Sequence, residues 1–303
     1  MEGHTPVLKK EIVEAFKHLQ GNVLDGTFGG GGHSEALLES NPSLCITALD
    51  IDPEAQERSQ LLLEKFPHRF TFQAINFSQI NTLRQSFQGV LLDLGVSSFQ
   101  LDDAKRGFSF RKDGPLDMRM NPNAGIPASD FLRTATENQL IQAIRDYGEE
   151  PQWRSVIKSI LQHRDSTYWE STTEFVRFLE TTTSIARSKK IGIHPATRVF
   201  QGLRIAINDE LCHLDIGLKA AFKSLTSNGI LAVISFHSLE DRIVKQNFYT
   251  WCGRSLNRYD SQPRQLKTIQ AELLHRKPIT ADDSETKSNP RARSAKLRIL
   301  KKL

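Results

Sequence analysis

The chain has 303 residues, 38% hydrophobic and 25% charged, with 18 Gly, 12 Pro and a formal net charge of +5. That balance excludes fibrous, disordered and disulfide-framework classes and leaves room for one large globular domain or two smaller ones. Cys45, Cys212 and Cys252 stand singly, with no CxxC pair and no His cluster at ligand spacing, so no metal site is expected and a reducing, cytoplasmic setting fits.

In chain order, Met1 to Phe16 alternates charged and apolar residues and lacks the apolar core of a signal peptide. Asn22 to Thr27 reads as a buried strand ending in a glycine-rich turn, with a helix beginning at His33 to Glu39. A strand over Cys45 to Leu49, a helix over Pro53 to Lys65 opened by Asp52, and strands over Arg69 to Ile75 and Val90 to Leu94 follow. Strands alternating with helices at this spacing predict a doubly wound, mostly parallel α/β sheet. From Asp102 to Gly125 the alternation gives way to a Gly-, Pro- and charge-rich loop. Three amphipathic helices are predicted next, over Thr136 to Tyr147, Gln152 to His163 and Thr173 to Arg187. A long helix opened by Pro195 and running to Lys223 leads to a fifth buried strand, Ile230 to Phe236, and a helix from Ser238 that Ser238 would cap. That strand is the strongest apolar run, and its seven residues fall far short of the roughly 20 needed to span a bilayer. Ala295 to Leu303 suits an edge strand. The expected organisation is a discontinuous sheet domain, 1–106 and 195–303, carrying an inserted helical domain at 107–194.

Residues just beyond strand ends carry the chemistry of such sheets. After the first strand stand Asp25 and four consecutive glycines, Gly29 to Gly32, then His33. A turn stripped of Cβ atoms admits a ligand close to the backbone. Twenty-one residues beyond Gly29 comes Asp50, placed to accept hydrogen bonds from a ribose diol. These features imply a nucleoside-containing cofactor. Spacing alone leaves a dinucleotide and S-adenosylmethionine open. Ser34 at the last glycine position breaks the dinucleotide pattern, and Asp25 would repel a pyrophosphate while suiting a cationic sulfonium. Asp93 ends the fourth strand, and His237 follows the fifth, where each can face a ligand crevice.

Eight motifs, in order, carry a family resemblance. They are His4-Thr5-Pro6-Val7-Leu8; Asp25 to Gly29 with Gly31-Gly32-His33; Asp93 to Ser98; Arg106 to Phe110; Gly114 to Met120; His194 to Arg198; Ser235 to Arg242; and Asn289 to Ser294. The chain so resembles the MraW family of small-subunit ribosomal RNA methyltransferases. The resemblance implies a Rossmann-like methyltransferase fold and S-adenosylmethionine-dependent N4-methylation of a cytosine in the decoding region of bacterial 16S ribosomal RNA. It places the cofactor at Gly31, Gly32, His33, Asp50, Phe77, Asp93 and Gln100. Gly30 departs from the family, where arginine is common at that position. The Asp/Asn-Pro-Pro-aromatic motif of many amino-methyltransferases is replaced by Asp93-Leu94-Gly95-Val96, which leaves the activation of N4 open; Asp93, or a backbone carbonyl of Leu94 to Gly95, is the candidate to accept an N4 hydrogen, with His237 the catalytic candidate near the base.

Charge is uneven. Residues 254–303 hold 13 Lys+Arg against 5 Asp+Glu, while the preceding residues are net acidic. Such a block is a footprint for a polyanion. Arg106, Arg111, Lys112, Arg119, Arg198, Arg204, Arg291 and Arg293 are the candidate phosphate contacts, with 16S ribosomal RNA in the small subunit as partner and neither DNA nor membrane expected. A nicotinamide-dependent oxidoreductase and a non-catalytic ribosome-assembly factor are the competing classes.

Overall fold

The computed structural model describes residues 5–183, 185, 194–255 and 268–303. His4 of the first motif and the expected helix end at Arg187 lie outside them. The chain divides into two compact units, Met1–Gly95 with Leu211–Leu303, and Val96–Glu210. In order the elements are α1 (Lys9–Phe16), β1 (Gly21–Asp25), α2 (Gly32–Ser40), β2 (Leu44–Leu49), α3 (Pro53–Lys65), β3 (Phe70–Gln73) and β4 (Phe87–Asp93). The second unit holds α4 (Ser98–Asp102), α5 (Ala128–Thr134), α6 (Glu137–Ile141), α7 (Trp153–Gln162), α8 (Thr172–Thr182) and α9 (Ala196–Ile207). Beginning at the boundary, α10 (Glu210–Ser224) is followed by β5 (Leu225–Ser235), α11 (Ser238–Trp251), β6 (Ala271–Leu273), α12 (Asp283–Ser288) and β7 (Lys296–Lys302).

The first unit is built on one seven-stranded sheet of order β3-β2-β1-β4-β5-β7-β6. Strands β3 to β5 in that order are parallel, and β7 runs antiparallel to both its neighbours. Both faces are buried, so the strands read as continuous apolar runs. Val23, Leu91, Ile230, Ala232 and Ile234 enter one core with α1 and α2, while Leu24, Val90, Leu92, Leu231 and Val233 enter the other with α10 and α11. This is the period-2 alternation of a strand with two apolar faces. The chain leaves β1 toward β2 on one side and returns to β4 on the other, which makes the carboxyl ends of β1 and β4 the topological switch point.

Two expectations are corrected here. Strand β7 is not an edge strand: it lies between β5 and β6. Its alternating charge misleads because Arg298, only 8% exposed, is neutralised by Asp241 of α11, with Nε–Oδ1 2.7 Å and Nη2–Oδ2 3.2 Å. The long helix expected from Pro195 to Lys223 is two helices. Asn208 ends α9 by donating to Arg204 O and Met118 O and accepting from Met120 N–H, and Asp209 then takes a left-handed φ of 48°.

The second unit has a separate core of Phe131, Leu132, Ile144, Val156, Ile160, Trp169, Phe175, Phe178, Val199, Phe200 and Leu203. Because α9 contributes three of these side chains, the helical unit extends past the expected limit at residue 194 to Glu210, and it begins at Val96 rather than at 107. The predicted helix over Thr136 to Tyr147 is present, but its second half, Gln142–Tyr147, is a π-helical stretch. There Gly202 of α9 meets the backbone, since a Cβ on it would stand 2.1 Å from Ala143 O. The loop expected after Asp102 is tied down: Met118 N–H donates to Arg106 O at 3.0 Å and Ala128 N–H to Asp117 O at 2.7 Å, while Leu116 and Met118 are buried.

Candidate active site

Strand β1 ends at Asp25, and the turn after it is held by its neighbours: Gly26 N–H donates to Leu91 O and Phe28 N–H to Leu49 O, each at 2.9 Å. Phe28 turns inward, 3% exposed, against Phe70 and Phe72 at ring separations of 5.6 and 5.5 Å. Two of the four glycines are explained by this packing rather than by a ligand. Gly31 has φ 76° and a Cβ there would stand 2.6 Å from the Phe28 ring, while a Cβ on Gly32 would press on Pro6 at 3.2 Å. Gly29, with φ 54°, also needs the left-handed region that favours glycine.

Asp50, just beyond β2, binds this turn from the side. Its Oδ2 accepts from Gly29 N–H at 2.7 Å and its Oδ1 from Asp52 N–H at 2.9 Å. Each oxygen keeps a second lone pair, the acceptor geometry a vicinal diol requires. Burial pushes the Asp50 carboxyl up to about 6, against the two backbone hydrogen bonds that pull it down.

The other acids stand at the switch point. Asp25, 1% exposed, accepts from Ser34 Oγ at 2.7 Å and from Thr27 N–H at 3.2 Å, and burial raises its pKa despite these bonds. Thr27 Oγ1 in turn accepts from Asp93 N–H at 2.6 Å, joining the ends of β1 and β4. His33, in the first turn of α2, has its Nε2 3.5 Å from Asp93 Oδ2. Phe77 follows Asn76, whose side chain caps the 3-10 turn Phe77–Leu83, and its ring lies against Gly217 of α10.

His237, not Ser238, is the N-cap of α11. Its Nδ1 accepts from Glu240 N–H at 3.5 Å, while buried Glu240 accepts from Phe236 N–H at 2.7 Å and His237 N–H at 3.3 Å. Asp241, in the first turn of α11, is engaged by Arg298 and Lys296. The end of β5 lies beside that of β4, with Ile234 opposite Asp93.

The remaining candidates are distributed differently. Gln100 belongs to the helical unit, 5% exposed, where its Oε1 accepts from Ser97 N–H and closes a capping box. Arg106 is 7% exposed and donates to Arg119 O and Met120 O, so it builds the loop instead of standing open to a phosphate. Arg119 is paired with Asp117 through two bonds of 2.9 and 2.6 Å, and Arg204 with Glu210 through bonds of 2.8 and 2.9 Å. Arg111, Lys112 and Arg293 are exposed, and Arg198 and Arg291 are partly so.

A family model of the MraW methylases matches residues 1–303. The chain belongs to the MraW methylase family. Among curated relatives, a ribosomal RNA small subunit methyltransferase H from Heliobacterium mobile is 41% identical over 310 residues, covering 99% of each chain. The protein of that name from Roseobacter denitrificans is 44% identical over 297 residues, covering 98% of this chain and 89% of the relative. Among solved structures, an rRNA methylase from Streptococcus thermophilus is similar at TM-score 0.41 and 8% identity, covering 100% of this chain and 99% of that one.

As an MraW methylase the chain is a methyltransferase, and its cofactor is S-adenosylmethionine. The site fits that group. Its glycine turn meets an acid with free lone pairs, and His33 Nδ1 and Nε2 and Asp93 Oδ1 are buried polar atoms with no hydrogen-bond partner among the described residues. The features that composition could not reveal are Thr27 Oγ1, which ties the two strand ends together, and Gly217, which backs Phe77. Among the described residues no helix is long and apolar enough to cross a membrane.

Proposed function

We propose that the chain methylates the N4 amino group of a cytosine in the decoding region of 16S ribosomal RNA, within the small ribosomal subunit. The observation that carries this reading is the end-to-end similarity, at 41–44% identity, to relatives named ribosomal RNA small subunit methyltransferase H.

When bound, S-adenosylmethionine supplies an electrophilic methyl group on a cationic sulfur. Asp50 holds the ribose diol through the lone pairs its backbone contacts leave open. The turn Gly31-Gly32-His33 and the ring of Phe77 shape the surrounding pocket. Asp93 accepts a hydrogen from the amino group, and His237 stands at the neighbouring strand end to contact the base. Positioning supplies most of the rate in such a displacement, since charge is neutralised as it proceeds.

The target base has to leave its stack to be reached, which suits a single-stranded RNA segment. Arg111, Arg119, Arg198, Arg291 and Arg293 are the proposed phosphate contacts. Incubating the protein with labelled S-adenosylmethionine and small subunits lacking the modification, followed by nucleoside analysis, tests the reading. N4-methylcytidine as the labelled product is expected; label in another nucleoside, or none from a protein that binds the cofactor, overturns it.

A further inference from the structure

At the switch point, three polar atoms on two facing side chains are buried and lack hydrogen-bond partners among the described residues: Nδ1 and Nε2 of His33, and Oδ1 of Asp93. Leaving such a group unmet costs about 1–3 kcal/mol. Around them the polar groups are matched. Asp25 holds Ser34 Oγ and Thr27 N–H, and Thr27 Oγ1 holds Asp93 N–H. These unmet atoms of His33 and Asp93 sit at the carboxyl ends of the two strands that flank the ligand crevice.

The imidazole is fixed from its own helix. Gly31 caps α2, and Ser34, next to His33, is pinned by Asp25 at 2.7 Å, which sets the first turn and aims the His33 ring at β4. His33 Nε2 then stands 3.5 Å from Asp93 Oδ2, with the two side chains 7% and 26% exposed. That separation is longer than a good N–H···O bond, so the imidazole faces the carboxylate without a formed hydrogen bond. With Oδ2 turned to His33, Oδ1 is the oxygen left for a reacting group.

We propose that His33 is a positioning residue for methyl transfer: its Nε2–H, directed at Asp93 Oδ2, orients the carboxylate so that Oδ1 receives the proton released by the attacking amine. This rests on the reading of an exocyclic amine as nucleophile. Asp93 Oδ1 takes the proton as the nitrogen lone pair forms the N–C bond and the C–S electron pair stays on sulfur; the N–H pair returns to nitrogen, and the proton then leaves Asp93 for solvent.

The test compares wild type with His33→Ala and His33→Gln, the second retaining a side-chain N–H donor. Three quantities are read: the affinity for S-adenosylhomocysteine by calorimetry, kcat and KM on unmodified small subunits, and the tautomer of the His33 ring by nitrogen-15 NMR with S-adenosylhomocysteine bound. The role predicts an Nε2–H tautomer and a kcat for His33→Ala lower by about 100-fold, the scale of one proton-transfer contribution. It also predicts an unchanged KM for small subunits, a loss of S-adenosylhomocysteine affinity much smaller than the loss of kcat, and recovery of much of the kcat loss in His33→Gln. An Nδ1–H tautomer, an unchanged kcat, a loss of S-adenosylhomocysteine affinity matching the loss of kcat, or no recovery by Gln each overturns it. A wild-type protein that labels no cytosine overturns the substrate reading instead, and the tautomer still reports on the His33–Asp93 contact.

Discussion

Gly217 of α10 lies so close to Phe77 that a Cβ on it would stand 2.3 Å from the ring's Cδ2. The helix is thus bare at one position so that the ring of Phe77, proposed to line the cofactor pocket, can rest against its backbone. Gly217→Ala raises helix propensity by about 1 kcal/mol, but overpacking costs about 1–3 kcal/mol and is relieved only if Phe77 moves. The expected outcome is a modest drop in melting temperature together with about tenfold weaker S-adenosylhomocysteine binding, one tenfold step being about 1.4 kcal/mol. Adding Phe77→Leu should restore the melting temperature without restoring the affinity.

The proposed contact of Asp50 with the ribose diol predicts pH-dependent cofactor binding. Its folded-state pKa is about 6 against an ordinary 3.8, so its protonated form favours the folded protein, a contribution complete below 3.8 and lost as pH rises through about 6. A diol donates to the ionised form, so the sign for binding is opposite. Affinity for S-adenosylhomocysteine should be flat above pH 7 and fall below pH 6, approaching about tenfold per pH unit, with proton release on binding near pH 6. Calorimetry between pH 5 and 8 measures both; a flat profile removes Asp50 from the ribose site.

The arginines separate by salt dependence. Removing one arginine that grips a phosphate should reduce the slope of log affinity against log salt by about 0.7 for single-stranded RNA. Arg111→Ala and Arg293→Ala, both exposed, are expected to do so. Arg106→Gln is expected to leave the slope unchanged. Its guanidinium holds Arg119 O and Met120 O, and the substitution should appear instead as faster proteolysis of the loop between residues 107 and 126.

Trp169 tests the helical unit by itself. Fully buried against Phe175 and Phe178, it donates Nε1–H to His163 O at 3.1 Å and Arg164 O at 2.9 Å. Trp169→Phe should cost about 1–3 kcal/mol through the unmet carbonyls, and Trp169→Ala about 3–5 kcal/mol. Hydrogen exchange should show protection lost first in α7 and α8, with β1 and β4 unchanged; uniform loss would show that the two units unfold together.

Much of the fold is legible in the sequence because parallel strands buried on both faces need continuous apolar runs, and Ile230 to Ile234 or Val90 to Leu92 admit no other placement. The glycine turn and the strand-end acids Asp25, Asp50 and Asp93 are legible for a similar reason: each is set by its position after an apolar run. The break between α9 and α10 is not, since neither Asn208 nor Asp209 carries a Gly or Pro signal and the stop depends on Asn208 reaching Met118 and Met120. The inner place of β7 is likewise hidden until Asp241 arrives to neutralise Arg298.

The sequence by itself determined the alternation of strands and helices, the inserted helices and the acids at the strand ends, because these depend on local period and residue chemistry. Only the tertiary structure decided why Gly31 is glycine, that Arg106 serves a loop, that His237 caps its helix, and that His33 faces Asp93 across a gap of 3.5 Å. Each of these depends on how the packed backbone places its neighbours, and no local pattern records which of many possible partners it brings near.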